Sequence, residues 1–265
     1  MPMLDVNGIQ LYYEVTGRGA PLLFLHGLGS CSQDWEFQVA EFSKDFRVIT
    51  VDLRGHGHSD RPHGPYTMEM LAADAAGLLR ALGVESAHVV GLSLGGGIAF
   101  QMAVSFPSLV KSLVVVNSAP DATIRTFKQR LMVASRIAMV RLLGFRRVGE
   151  ALSKKLFPEP ELAGIRAAFV ERYVHNDRHG YLAAVRAFIG WSVASDIGII
   201  ACPTLVIAAD NDYTPVALKE AYVAQIPGAK LVVIPDSRHA LPVERPQSFN
   251  AVLRVFLEAQ LTPAL

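Results

Sequence analysis

Hydrophobic and polar positions change period repeatedly along the chain. Six short runs are almost wholly apolar: Pro21 to Leu25, Phe46 to Val51, Ala87 to Val90, Val110 to Val116, Thr204 to Ala209 and Leu231 to Ile234. Runs of this length without alternation fit strands covered on both faces, as in a parallel sheet. Between them apolar residues recur at helical spacing. Gln33 to Phe42 carries Trp35, Val39 and Phe42 on one face, and Met68 to Leu82 stops at Gly83. Gly96 to Phe106, Val216 to Gln225 and Pro246 to Glu258 read as further helices. At the start, Leu4 to Val6 and Ile9 to Val15 flank Asn7-Gly8, the signal of a type I′ hairpin. Strand and helix in alternation predict an α/β fold with a mainly parallel sheet and right-handed crossovers.

The rhythm breaks between Asn117 and Ile200. Apolar residues there keep helical spacing (Leu131, Ile137, Val140, Leu143; Ile165, Phe169, Tyr173; Tyr181, Val185, Phe188) with no strand pattern. The expected organisation is a core of residues 1–118 and 200–265, interrupted by a helical cap at 119–199. The apolar spacing inside this insertion predicts a lid with a greasy inner face, suited to an acyl chain or an aromatic group.

Candidate chemistry gathers just past the predicted strands, where open parallel sheets build their sites. Gly91-Leu92-Ser93-Leu94-Gly95 lies between a strand and a helix, the context that gives the pattern Gly-x-Ser-x-Gly a meaning. Such a turn forces its serine into a sparsely populated backbone region and leaves no room for side chains two residues either side. A serine hydroxyl needs a base to take its proton, and the base needs a third group to fix its tautomer. Asp212 stands three residues after Ala209, and His239 a few residues after Ile234. The chain order Ser93, Asp212, His239 fits this arrangement. Asp210 competes with Asp212 for the acid, and spacing from the strand favours Asp212. Asn117 follows another strand, but an amide cannot stabilise an imidazolium as a carboxylate does. The backbone N–H groups of Leu94 and Leu28 would cradle an oxyanion, with Gly27 beside the substrate; each such donor is worth about 3 kcal/mol. His26 reads as a residue shaping that loop. His56 and His58 have no further ligand at metal spacing. Gly55-His56-Gly57 lacks the rest of a dinucleotide fingerprint.

His26-Gly27-Leu28-Gly29, Asp52-Leu53-Arg54-Gly55-His56-Gly57-His58-Ser59, the serine turn, Asp212 before Thr214-Pro215, and His239-Ala240 together resemble the α/β-hydrolase fold family in its small, cap-bearing branch. The resemblance covers nearly the whole chain outside the insertion. It implies Ser93 as nucleophile, His239 as base and Asp212 as the orienting acid, with no metal or organic cofactor. It departs at Ala209, where many relatives carry glycine. Serine as nucleophile sets aside the relatives that use an aspartate there. The expected activity is hydrolysis of carboxylic esters. Enol-lactone, C–C bond and thioester hydrolysis, acyl transfer and perhydrolysis remain open on the same residues, and a binding protein without turnover is the reading from another class.

Composition narrows the partners. With 25 Lys+Arg against 24 Asp+Glu the net charge is +1, which argues against nucleic acid. That balance hides polarity: residues 121–190 carry +7 and the rest −6. A basic cap favours an anionic substrate, acidic carrier or anionic surface; a solvated helical face is the plainer reading. Phe127, Met132, Met139 and Trp191 are candidates to line the pocket, as against ordinary packing within the cap. Cys31 and Cys202 stand in no metal or redox spacing and read as free thiols. Without a leader-like N-terminus or an apolar run long enough to span a bilayer, the expectation is a cytoplasmic protein with no stable membrane insertion. Mean hydropathy, +0.30, is high and fits a greasy pocket or lid. Oligomeric state leaves no trace in the sequence.

Overall fold

A computed structural model describes residues 2–261. Its frame is an eight-stranded sheet formed by β1 (Met3–Val6), β2 (Ile9–Thr16), β3 (Ala20–Leu25), β4 (Phe46–Val51), β5 (Ala87–Leu92), β6 (Val110–Val116), β7 (Thr204–Ala209) and β8 (Lys230–Ile234). The order across the sheet is β1-β2-β4-β3-β5-β6-β7-β8. β1 and β2 pair antiparallel through a hairpin whose turn residues Asn7 and Gly8 have φ of 52° and 74°, and β2 is antiparallel to β4. Every other pairing, from β4 through β8, is parallel. β5 and β7 are interior strands and every residue of both is buried, which accounts for their mostly apolar sequence.

Helices cover both faces. α1 (Glu36–Phe42) and α9 (Pro246–Leu261) pack with Phe24, Val90 and Ile207 on one side, while α2 (Met68–Ala81) and α3 (Leu94–Ser105) pack with Leu23, Val89 and Val115 on the other. α3 is apolar all round, because the sheet, α2 and the cap enclose it. α7 (Val216–Val223) joins β7 to β8, and a short α8 (Leu241–Glu244) follows β8. The sequence pattern does not reveal α8: four residues are too few to establish a period.

The insertion contains α4 (Phe127–Leu156), α5 (Ala163–Val174) and α6 (Arg178–Phe188). α4 opens with a capping box between Thr126 and Gln129 and breaks at Gly144, which has φ 72°. At the base, residues 120–122 pair with 190–193 through Ala122 N to Trp191 O (2.8 Å) and Val193 N to Pro120 O (2.8 Å). α6 is the anchor. Ala183, Ala184 and Ala187 enter the core beside α2 and α3, while Tyr181, Leu182 and Val185 pack within the cap against Val140, Val148 and Tyr173. Gly180 touches the backbone of Gly55, a contact that leaves no space for a side chain at either residue. The cap therefore sits on the loops that follow β3 and β4, at the carboxyl edge of the sheet.

Candidate active site

The turn after β5 carries Ser93 at φ 55° and ψ −114°. A non-glycine residue in this region costs on the order of 1–3 kcal/mol and persists only where its surroundings enforce it. The enforcement is visible. Ser93 N donates to Val116 O at 3.0 Å, and Gly97 N donates to Ser93 O at 3.0 Å. Ser118 Oγ donates to the same Ser93 oxygen at 2.7 Å. A Cβ on Gly91 would strike the carbonyl of Gly95, and one on Gly95 would strike the carbonyl of Leu25. These collisions are why the pattern needs glycine on both sides of Leu92-Ser93-Leu94.

Two backbone N–H groups are candidates to face an oxyanion. That of Leu94 is the first of α3 and has no acceptor in its own helix. Leu28 is the first central residue of a turn closed by Ser30 N to Gly27 O (3.2 Å), with Gly29 at φ 75° supplying the second; such a turn does not use its own N–H. The loop lies against the serine, since a Cβ on Gly27 would stand 3.6 Å from Ser93 Cβ. His26 fixes its base. Its Nε2 accepts from Leu53 N at 3.0 Å, so Nδ1 carries the proton and donates to Gly27 O at 2.8 Å. Burial keeps this imidazole neutral by lowering its pKa.

Behind it, Asp52 receives Ser32 N (2.7 Å) and His58 N (2.8 Å), and Arg54 forks onto Asp74 at 2.7 and 2.9 Å. The ion pair of this loop is thus made with α2. His56 and His58 do not converge: one ring lies against His26 (5.2 Å), the other against Tyr12 (4.9 Å). Among the described residues no group of three or more His, Cys, Asp or Glu is arranged to hold a metal.

Across the sheet, His239 Nδ1 lies 2.6 Å from Asp212 Oδ1. Burial alone would raise the Asp212 carboxyl, but its hydrogen bonds and charge contacts with His239 and Lys219 outweigh this and hold it well below the usual carboxylate range. An ionised carboxylate only accepts, so the proton is on Nδ1 and the lone pair of the neutral ring is on Nε2. The other oxygen, Asp212 Oδ2, receives Lys219 Nζ (2.7 Å) and Thr214 Oγ1 (2.7 Å). Lys219 Nζ also donates to Thr214 O at 2.8 Å, and the side chains of Lys219 and Asp212 are both 0% exposed. The Tyr213 ring lies on the imidazole at 4.4 Å.

Asp210 has a different task. Its oxygens receive Asp236 N (3.0 Å) and Ser237 N (3.1 Å), which pins the loop leading to His239. Asn117 joins the two halves of the site. It directly follows Val116, the residue that holds Ser93, and its Nδ2 donates to the carbonyls of Arg238 (3.1 Å) and His239 (3.0 Å). Its Oδ1 accepts Ala209 N at 2.8 Å. One side chain thus ties the ends of β6 and β7 to the histidine loop.

The expected pocket residues fare differently. Phe127 and Met132 are 80% and 65% exposed on the first turns of α4, so they do not form a packed lining. Trp191 is buried in the core: it stacks on Phe188 and donates Nε1 to Gln101 of α3 at 2.7 Å. Lys219, Tyr213 and the bridging role of Asn117 go unread in the sequence. The available signal for Lys219 was its place on the inward face of α7, three residues before the buried Tyr222. Cys31 and Cys202 are free thiols. Among the described residues no helix is long and apolar enough to cross a membrane.

Comparison with known proteins agrees with the fold. A family model described as alpha/beta hydrolase fold matches residues 20–140. RutD of Caulobacter sp. (strain K31), whose name attributes carbamate hydrolysis to it, is 31% identical over 94% of this chain and 96% of its own. The enol-lactonase from Burkholderia xenovorans LB400 superposes with a TM-score of 0.89 at 29% identity, covering 97% of this chain and all (100%) of its own. A thermophilic esterase from Thermogutta terrifontis gives 0.87 at 29% identity, covering 98% and 97%.

Proposed function

The chain belongs to the alpha/beta-hydrolase fold family, and from that premise we propose that it is a serine hydrolase of carboxylic esters. Ser93 Oγ attacks the acyl carbon while His239 Nε2 takes its proton. Asp212 holds the ring in the required tautomer and stabilises the imidazolium. The negative oxygen of the tetrahedral intermediate points to the N–H groups of Leu28 and Leu94, two preorganised backbone donors. The intermediate collapses, the C–O bond to the alcohol breaks, and His239 returns the proton to the leaving oxygen. Water, deprotonated by the same imidazole, then attacks the acyl-enzyme and frees Ser93 and the acid.

The observation that carries the reading is the pair of constraints meeting at β6: Val116 O holds Ser93 at positive φ, and Asn117 holds the carbonyl of His239, whose ring is bonded to a buried carboxylate. The enol-lactonase likeness supports a cyclic ester as an alternative form of the same bond. A fluorophosphonate probe tests the proposal. Stoichiometric labelling of Ser93, lost in Ser93→Ala together with steady-state turnover of p-nitrophenyl esters, is expected. Turnover that survives Ser93→Ala would overturn it; labelling without turnover would favour a binding protein.

A further inference from the structure

Arg136 differs from Arg166 and Arg172, the other half-buried arginines of the cap. Arg125 pairs with Asp121 (2.5 Å), Arg146 with Glu171 (3.0 Å), and Arg172 with Asp34 (3.0 Å) and Glu36 (2.7 Å). Arg166 is spent on the carbonyls of Phe157 and Glu159. Arg136, half-buried on α4, has no carboxylate partner among the described residues. Its Nε donates to the Tyr181 hydroxyl at 2.7 Å, and its guanidinium carbon lies 5.8 Å from the centre of the Tyr181 ring. A guanidinium has five N–H donors, and the partners of this one are neutral phenols, those of Tyr181 and Tyr173. Withdrawing a cation from water without an anion is costly.

The phenols add to the imbalance. Tyr173 and Tyr181 are buried, and their hydroxyl oxygens lie 3.1 Å apart. A hydroxyl has one hydrogen, and only one of the two hydrogens can lie between these oxygens. Whichever way that bond runs, one O–H of the pair is left over. The cluster therefore offers guanidinium N–H groups and a phenol O–H with no acceptor of its own, which is the chemistry of an anion site.

Its place relates it to the candidate catalytic centre. A Cβ on Gly29 would stand 2.7 Å from the Tyr173 ring and 2.9 Å from the Tyr181 ring, so both rings rest on the loop that carries Leu28. On the other side Arg136 acts electrostatically on Tyr213, the ring that covers His239. The cluster thus adjoins the Leu28 loop on the cap side, within electrostatic range of the ring that covers the imidazole.

We propose that Arg136, with Tyr173 and Tyr181, is a subsite for a second, ionised carboxylate of the substrate, so that the enzyme prefers esters or lactones of dicarboxylic acids. This rests on the hydrolase reading above and names its substrate class. Guanidinium–carboxylate pairing binds the remote end and positions the scissile carbonyl; no covalent change occurs at the subsite.

The test compares p-nitrophenyl hemiglutarate with p-nitrophenyl valerate, which have similar chain length and differ by one charge. Wild type is expected to show the higher kcat/KM for the hemiglutarate. In Arg136→Met that value should fall by about 10- to 100-fold, mainly through KM, the scale of a charged hydrogen bond, while the valerate changes by less than threefold. Arg136→Lys should restore part of the loss, and Tyr181→Phe should show a smaller, equally selective one. Equal losses on both substrates, or no preference in wild type, would overturn the subsite. Fluorophosphonate labelling of Ser93 separates the two readings: with labelling and valerate turnover intact, a failure concerns the subsite alone. If wild type neither labels nor turns over, the hydrolase reading falls, and this inference with it.

Discussion

Lys219 offers the sharpest test of how the His239–Asp212 pair is held. It is a cation with no exposed surface, placed on α7 with its whole charge directed at Asp212 Oδ2 and at Thr214. Lys219→Met keeps the volume and removes the charge, leaving Asp212 Oδ2 with the Thr214 hydroxyl as its remaining donor. Breaking a buried ion pair from one side costs about 3–5 kcal/mol, because the surviving charge is uncompensated. For a chain of this length that is a fall of roughly 6–20 °C in Tm. Removing both charges relieves most of the penalty, so Asp212→Asn/Lys219→Met should be more stable than the sum of the single variants by about 2 kcal/mol or more. Urea unfolding of the four proteins at pH 7.5 measures this coupling. Kinetics supply the second readout: with Oδ2 released, the Asp212–His239 bond loses alignment, and kcat should drop about tenfold at unchanged KM. Additive single effects, with a loss below about 1 kcal/mol for Lys219→Met, would refute the claim that this cation holds the carboxylate.

Other expectations follow from single contacts. Asp212→Asn should lower kcat by about 10⁴-fold, since the amide favours the wrong imidazole tautomer, whereas Asp210→Asn, whose carboxylate receives the N–H groups of Asp236 and Ser237 and the Asn211 amide and makes no bond to His239, should cost less than about tenfold. Comparable losses would mean the acid has been assigned to the wrong aspartate. Gly95→Ala should fail to fold or lose at least about 3 kcal/mol in an unfolding assay, because its methyl meets the Leu25 carbonyl and the strand cannot yield. His88 is fully buried, with one nitrogen bonded to Ser112 Oγ at 2.7 Å and the other unpartnered; burial, then Lys111, pushes its imidazole down to about 4. The unfolded chain takes up this proton near pH 6.5 and the folded one does not. Its contribution is therefore present above pH 6.5 and is lost as pH falls toward the folded value, by about 2 kcal/mol between pH 6.5 and 4.5. Denaturation of wild type and His88→Leu across that range should show the variant gaining on wild type by this amount as pH drops. A pH-independent difference would contradict it.

Much of the fold is legible in sequence because its elements are strongly periodic. β4 and β6 coincide with their apolar runs, and β3 and β8 begin one residue earlier than their patterns suggest. Ser93, Asp212 and His239 stand out because each follows a strand, and a parallel sheet collects such positions at one edge. What stays hidden is set by distance rather than pattern. Lys219 is one more basic residue on a helix until the fold closes over it. The 121-residue separation of Asn117 from Arg238 gives no local sign of the bond between them. Tyr173 and Tyr181 belong to apolar stripes, where spacing records burial and says nothing of hydroxyls turned toward one another. Phe127 and Met132 show the converse: on an amphipathic helix, apolar spacing predicts an inner face, yet the first turns of α4 project beyond the packed part of the cap.

The central claim is that Ser93 forms an acyl-enzyme. Rapid quenching of a p-nitrophenyl ester reaction, followed by peptide mass spectrometry, tests it directly. One equivalent of p-nitrophenol should be released in a burst, with the acyl mass on the peptide that contains Ser93. Replacement of Ser93 by alanine should abolish both. Full steady-state turnover with no acylated peptide, or an acyl group carried by another residue, would contradict the account.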